Sequence, residues 1–153
     1  SLQVTIQRAA AKAPPSPRVA ALLQDEERTL TAGTLEAFRQ NVEAQIVAFR
    51  DVLAQHKQAG RKIAGYGAPA RVATVCNYGQ IGPAPIEFTV DDSALKQNKY
   101  TPGTHIPTVT RTHLEPNQPD IPLVFAYEYL DDIRKKTGGS NRYLLPIPPR
   151  EVN

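Results

Sequence analysis

The sequence predicts an α/β domain: a Rossmann-like, mostly parallel sheet of about five strands with flanking helices, preceded by an orphan N-terminal strand and a long helix. Three observations carry this. From Arg61 onward, short apolar strand patterns alternate with helical ones, the order that an open parallel sheet requires. Residues 121–127 form a continuous apolar run, as expected of a strand covered on both faces. And a glycine turn, Gly65-Tyr66-Gly67-Ala68-Pro69-Ala70, stands between a strand pattern and a helical one.

The elements follow in order. Residues 1–7 alternate, with Leu2, Val4 and Ile6 on one face and Gln3, Thr5 and Gln7 on the other, which predicts a strand. Pro14, Pro15 and Pro17 then cut it off from everything downstream. Residues 1–17 are therefore expected to be the residual strand and linker of a preceding domain, and residues 18–153 a domain of their own. Residues 19–28 read as a short helix with Val19, Leu22 and Leu23 on one face. A long helix over 34–59 follows, with Thr34 as its expected N-cap and Gly60 as its stop. Its stripe is Leu35, Phe38, Val42, Ile46, Phe49 and Leu53. At about 1.5 Å per residue this helix outruns what one small sheet needs for cover, so part of the stripe is expected to face a neighbouring domain. Further strands are predicted at 62–66, 86–90, within 104–109, at 121–127 and at 143–147. A helix over 130–136 is closed by Gly138-Gly139.

Composition narrows the class. A chain of 153 residues is long enough for one ordinary domain. The net charge of +3, with basic residues interleaved among acids, does not argue for nucleic acid. The single cysteine, Cys76, excludes an intramolecular disulfide and a Cys-rich zinc site, and its apolar surroundings predict an inert buried thiol. No apolar run approaches the roughly 20 residues of a membrane span, and no secretory signal opens the chain, so a cytoplasmic location is expected. The chain lacks an opening methionine, and a piece of a longer protein is expected.

Ligands of parallel sheets lie outside the carboxyl ends of the strands. That rule gathers the glycine turn, the loop after residue 90 and the end of the 121–127 strand around one crevice. Gly67 and Ala68 let backbone approach a ligand, and the helix start that follows offers unpaired N–H groups to a phosphate or carboxylate. Arg71, Lys96 and Lys99 are the expected cations for such a group. The strand-end acids have two readings: Asp91 as a ribose acceptor, or Asp92 and Ser93 as side-chain caps of a turn. Tyr66 and Tyr100 suit stacking on a base or bonding a phosphate, and Tyr66 equally suits filling the top of the sheet. His105 is either a phosphate binder or general base, or a structural hydrogen-bonder in its Pro-Gly loop. His56 and His113 have no partner spacing, so no metal is predicted.

Several of these segments also resemble a known family. They are the glycine turn, Asn77-Tyr78, Phe88-Thr89-Val90-Asp91-Asp92, Leu95-Lys96-Gln97 with Lys99-Tyr100, and Pro102-Gly103-Thr104-His105-Ile106-Pro107. Together they resemble the C-terminal domain of bacterial S-adenosylmethionine-dependent C-methyltransferases of nucleotide-linked keto-deoxysugars, over nearly the whole chain. The resemblance implies a Rossmann-like domain that helps to bind the phosphate or nucleotide part of the methyl acceptor, with Asn77 joining the residues above. It also implies that S-adenosylmethionine and the catalytic motif belong to a preceding domain, and zinc to a domain before that. The chain would then be part of an enzyme that cannot turn over alone. It departs from the family where Lys-Gly-Asn-Thr gives way to Arg71-Val72-Ala73-Thr74, which replaces a compact ammonium by a planar fork. Two other readings compete: an NAD-type dinucleotide-binding domain, and a non-catalytic interaction domain that docks a partner on the long helix.

Overall fold

The computed structural model describes residues 4–8, 14–137 and 142–153. The chain divides into two compact units, Ser1–Gln40 and Asn41–Asn153, which part inside the long helix.

In the first unit, residues 4–8 are exposed and join no strand. Their alternating pattern has no ladder to complete among the described residues, and the predicted positions 1–3 lie outside them. Helix α1 (Pro17–Thr29) places Pro17 in its first turn, and Ser16 Oγ accepts a hydrogen bond from the Arg18 N–H at 3.3 Å. Helix α2 (Ala32–Gln58) starts two residues before the expected position. Its cap is Thr31 rather than Thr34. Thr31 Oγ1 accepts from the Thr34 N–H at 3.2 Å, and Thr34 Oγ1 accepts from the Thr31 N–H at 2.9 Å, a reciprocal capping box. Leu35 and Phe38, the opening of the predicted stripe, are exposed.

In the second unit the same stripe turns inward: Ile46, Phe49 and Leu53 are buried. Gly60 ends the helix at φ 72°, with its own N–H bonded to Lys57 O and the Arg61 N–H to His56 O. Those two bonds are a Schellman stop, as the glycine predicted. The strands are β1 (Ile63–Tyr66), β2 (Thr89–Val90), β3 (Lys99–Tyr100), β4 (Pro107–Val109), β5 (Ile121–Val124), β6 (Tyr143–Pro146) and β7 (Pro149–Val152). They form one seven-stranded sheet in the order β3-β4-β2-β1-β5-β6-β7. The five predicted strands are its parallel centre, with β1 flanked by β2 and β5. Two short antiparallel strands, β3 and β7, are added at the edges. Both lack a readable period. β3 hides in a polar loop, and β7 opens with Pro149, which an edge strand tolerates at its first position.

Alternation along the central strands produces two apolar layers. Ile63, Ile121, Leu123 and Leu144 pack with Ile46, Phe49 and Leu53 of α2, and with Val72 and Cys76 of α3 (Ala70–Tyr78). Ala64, Tyr66, Val124, Tyr143 and Leu145 face the other way. There they meet Leu114 of the short α4 (Arg111–Leu114) and Ile133 of α5 (Leu130–Thr137). The predicted Gly138-Gly139 stop of α5 lies outside the described residues. Cys76 is wholly buried, and burial pushes its thiol up to about 12. An inert thiol is the result.

The two halves of α2 should respond differently to truncation. Phe49→Ala is expected to destabilise the chain by about 3–5 kcal/mol in urea unfolding, because it leaves a hole in a closed layer. Phe38→Ala, on the exposed half, should stay within about 0.5 kcal/mol of the unsubstituted chain.

Candidate functional site

The carboxyl edge of the sheet is organised by one carboxylate. Strand β1 ends at Tyr66, in register with Val90 of β2 and Val124 of β5. The chain then turns at Gly67, whose φ of 80° suits glycine, and a Cβ there would press on Ala126 Cβ at 3.2 Å. The next N–H, that of Ala68, points at Asp91 and donates to Oδ2 at 2.7 Å. Asp91 Oδ1 accepts from the Ser93 N–H at 2.9 Å, and Lys96 Nζ donates to Oδ2 at 3.1 Å. The Asp91 side chain is 11% exposed. Burial alone would raise its pKa, but the bonds from Ala68, Ser93 and Lys96 outweigh this and hold it below the usual range. The turn is thus braced by Asp91 itself, a role that the sequence reading gives to Asp92 and Ser93.

Beside this clasp lies a cleft of about 330 Å³. Tyr66, Gly67 and Pro69 line it from the end of β1, and Val90, Asp91, Asp92 and Lys96 from the end of β2. Ala126 and Tyr129 contribute from the segment after β5, and Asp132, Ile133 and Lys136 from α5. Lys136 Nζ donates to Asp92 Oδ2 at 2.9 Å, and this bond raises the lysine pKa. A second cleft of about 190 Å³ adjoins, where Arg111, Leu114 and Glu115 meet Tyr66 and Lys136.

Of the residues expected at the site, Tyr66, Gly67, Asp91 and Lys96 line the first cleft, and Ala68 is bonded to its rim. Arg71 does not line it. Its guanidinium donates to both carboxylate oxygens of Glu128 and to Phe125 O, and lies 4.1 Å over the Tyr127 ring. The anion that Arg71 meets in the first turn of α3 is thus internal. The hydrogen bonds from Arg71 hold Glu128 down to about 2.

Asn77, Lys99, Tyr100 and His105 belong elsewhere. Asn77 sits in the last turn of α3, and its Nδ2 donates to Pro102 O at 2.8 Å. The Tyr100–Pro107 pair opens β4, so the hairpin that carries His105 lies at the amino edge of the sheet, opposite the cleft. His105 is exposed at φ 57°, and its N–H bonds Thr101 O at 3.0 Å. Lys99 is exposed on the edge strand. The expected grouping of Arg71, Lys96 and Lys99 around one ligand is therefore not formed, because the hairpin folds away from the glycine turn. Conversely, the sequence reading missed Lys136, Asp132 and Arg111. Asp132 and Lys136 are four apart on the helix that follows β5, a spacing that puts both on one face.

His56 is buried, with Arg61 Nη1 at 3.2 Å from Nδ1 and Glu151 Oε1 at 3.5 Å from Nε2. His113 packs edge-on against Phe88 at 5.0 Å. Among the described residues no group of three or more His, Cys, Asp or Glu is placed to hold a metal, and no helix is long and apolar enough to cross a membrane.

The family described as the C-methyltransferase C-terminal domain matches residues 1–148. The chain belongs to that family. It is also similar to the C-methyltransferase NovU of Streptomyces niveus, at 30% identity over 148 residues. The match takes in 90% of this chain and 34% of that relative, so the chain spans about a third of its length.

Asp91 supplies a pH signature. Its folded pKa is depressed, so its stabilisation is complete above the unfolded value near 3.8 and is lost as pH falls through the folded one. Asp91→Ala should cost about 2–3 kcal/mol at pH 7, since it strands the Ala68 and Ser93 N–H groups. In denaturant melts the gap between the two chains should narrow below pH 4.

Proposed function

We propose that this chain is the acceptor-holding C-terminal domain of an S-adenosylmethionine-dependent C-methyltransferase of nucleotide-linked keto-deoxysugars. The observation that carries the reading is a cleft at the carboxyl edge of a parallel sheet in a chain of this family. Residues 1–17 are then the tail of the methyltransferase domain, and residues 18–153 the acceptor-binding part. S-adenosylmethionine, held by a domain outside this chain, would supply the methyl group, and zinc belongs to a domain further upstream. The working enzyme is cytoplasmic, with the nucleotide-sugar and the methyltransferase domain as partners of this chain.

The contribution of this chain is alignment. Methylation at carbon needs a proton removed beside the ketone and the resulting enolate carbon held in line with the methyl group. Orientation of two reactants contributes about 7–11 kcal/mol to such a step. Binding the acceptor by its nucleotide, far from the reacting carbon, is how that contribution is made. The glycine turn suits this better than an NAD-type role. In a dinucleotide site the acid after the second strand serves a ribose, whereas Asp91 is engaged by Ala68, Ser93 and Lys96.

A thermal-shift panel tests the reading. Thymidine diphosphate and its sugar conjugates should protect the chain, by about 2.7 kcal/mol at a hundredfold excess over Kd, and NAD(H) should not. Protection by NAD(H) alone favours the dinucleotide reading. Protection by neither favours an interaction domain, and both outcomes contradict the acceptor-holding role.

A further inference from the structure

We propose that the wall between the two clefts is an anion point, where the Tyr66 hydroxyl, the Lys136 ammonium and the Arg111 guanidinium together take a phosphate oxygen of the ligand. The proposal rests on the acceptor-holding reading and names the group through which the acceptor is held. Tyr66 is 8% exposed, and its hydroxyl has no hydrogen-bond partner among the described residues. Native folds seldom leave a buried donor orphaned, since it loses its hydration and gains nothing in return. Tyr66 and Lys136 are the two residues that line both clefts, so the orphan hydroxyl belongs to the wall between them.

The charges around the phenol set the kind of acceptor that relieves it. Arg111, Asp92 and Lys136 are the charged groups whose fields reach Tyr66, and two of the three are positive. Burial is the largest influence on the phenol and raises its pKa, so at neutral pH the group is a proton donor. Arg111 is fixed nearby, because its Nη2 donates to the Lys136 carbonyl. A donor hydroxyl in the field of two cations that line the same cleft suits an oxyanion, and charge-assisted bonds of this kind are short and strong.

Asp92 holds the lysine of this point. Its carboxylate accepts from Lys136 Nζ, with side chains 63% and 48% exposed. A pair this open contributes little and exchanges readily. An incoming phosphate takes the place of Asp92 on Lys136 and meets the Tyr66 hydroxyl at the wall that both residues line. The first cleft itself suits other chemistry. Asp91, Asp92 and Asp132 outnumber Lys96 and Lys136 there, which favours hydroxyl groups over phosphate. The ligand is thus read in two parts, hydroxyls in the larger cleft and phosphate at its wall.

Calorimetric titration of the chain with thymidine diphosphate, and in a second arm with inorganic pyrophosphate, tests this. Tyr66→Phe should weaken thymidine diphosphate about tenfold, as expected for a lost bond to a charged group. Lys136→Gln should weaken it at least as much, and Asp92→Asn should tighten it. Pyrophosphate should follow the same ranking, more weakly. Tyr66→Phe keeps the packed ring and removes only the orphan hydroxyl, so its melting temperature should match or exceed that of the unsubstituted chain. A clear fall would reveal a structural partner for the hydroxyl and overturn the proposal. If the unsubstituted chain binds and Tyr66→Phe and Lys136→Gln bind equally well, the anion point is wrong and acceptor holding survives. If the unsubstituted chain binds neither probe, both fail.

Discussion

The cleft owes its shape to the carboxylate of Asp91, which bonds the Ala68 N–H just after the glycine turn and two groups of the loop after β2. A turn at Gly67 leaves backbone N–H groups facing outward, and such groups ordinarily invite a ligand. Here an internal acid answers part of that demand. The carboxyl edge is thereby stiffened at the junction of β1, β2 and α3, and the open space falls on the α5 side of the sheet. Everything proposed for the ligand follows from that displacement.

The cations of this edge show the same economy of charge. Arg71 is engaged by Glu128, Lys96 by Asp91 and Lys136 by Asp92, so the edge is a set of matched pairs. The Arg71 fork grips both oxygens of its partner and stacks on Tyr127, which ties the start of α3 to the segment after β5. Such a pair positions backbone. The Lys136–Asp92 pair, by contrast, is open to solvent on both sides, and its lysine lines the same two clefts as Tyr66, whose hydroxyl lacks a partner among the described residues. Two ion pairs on one edge thus have different uses, set by how firmly each is held.

Much of this was legible in the residues themselves. The five parallel strands, the Gly60 stop and the buried half of the long stripe follow from periods of two and of three to four, because burial on both sheet faces leaves strong apolar signals. The strands β3 and β7 were not legible, being two polar residues in one case and a proline-led edge in the other. At the site, Gly67 and Asp91 could be found by spacing along the chain. The separation of Asn77, Tyr100 and His105 from them could not, because it depends on which way the β3–β4 hairpin runs. Nor did the sequence reveal that Lys136 and Arg111 line one cleft with Tyr66, an arrangement that exists only once α4 and α5 are laid on the same face.

The location of the acceptor at the carboxyl edge is tested most directly by following backbone amide shifts of the chain during titration with a thymidine diphosphate-linked sugar. Changes gathered at Tyr66, Gly67, Val90, Ala126 and Ile133 are the predicted result. Changes gathered instead at Tyr100, Thr104 and His105, on the opposite edge, would contradict it.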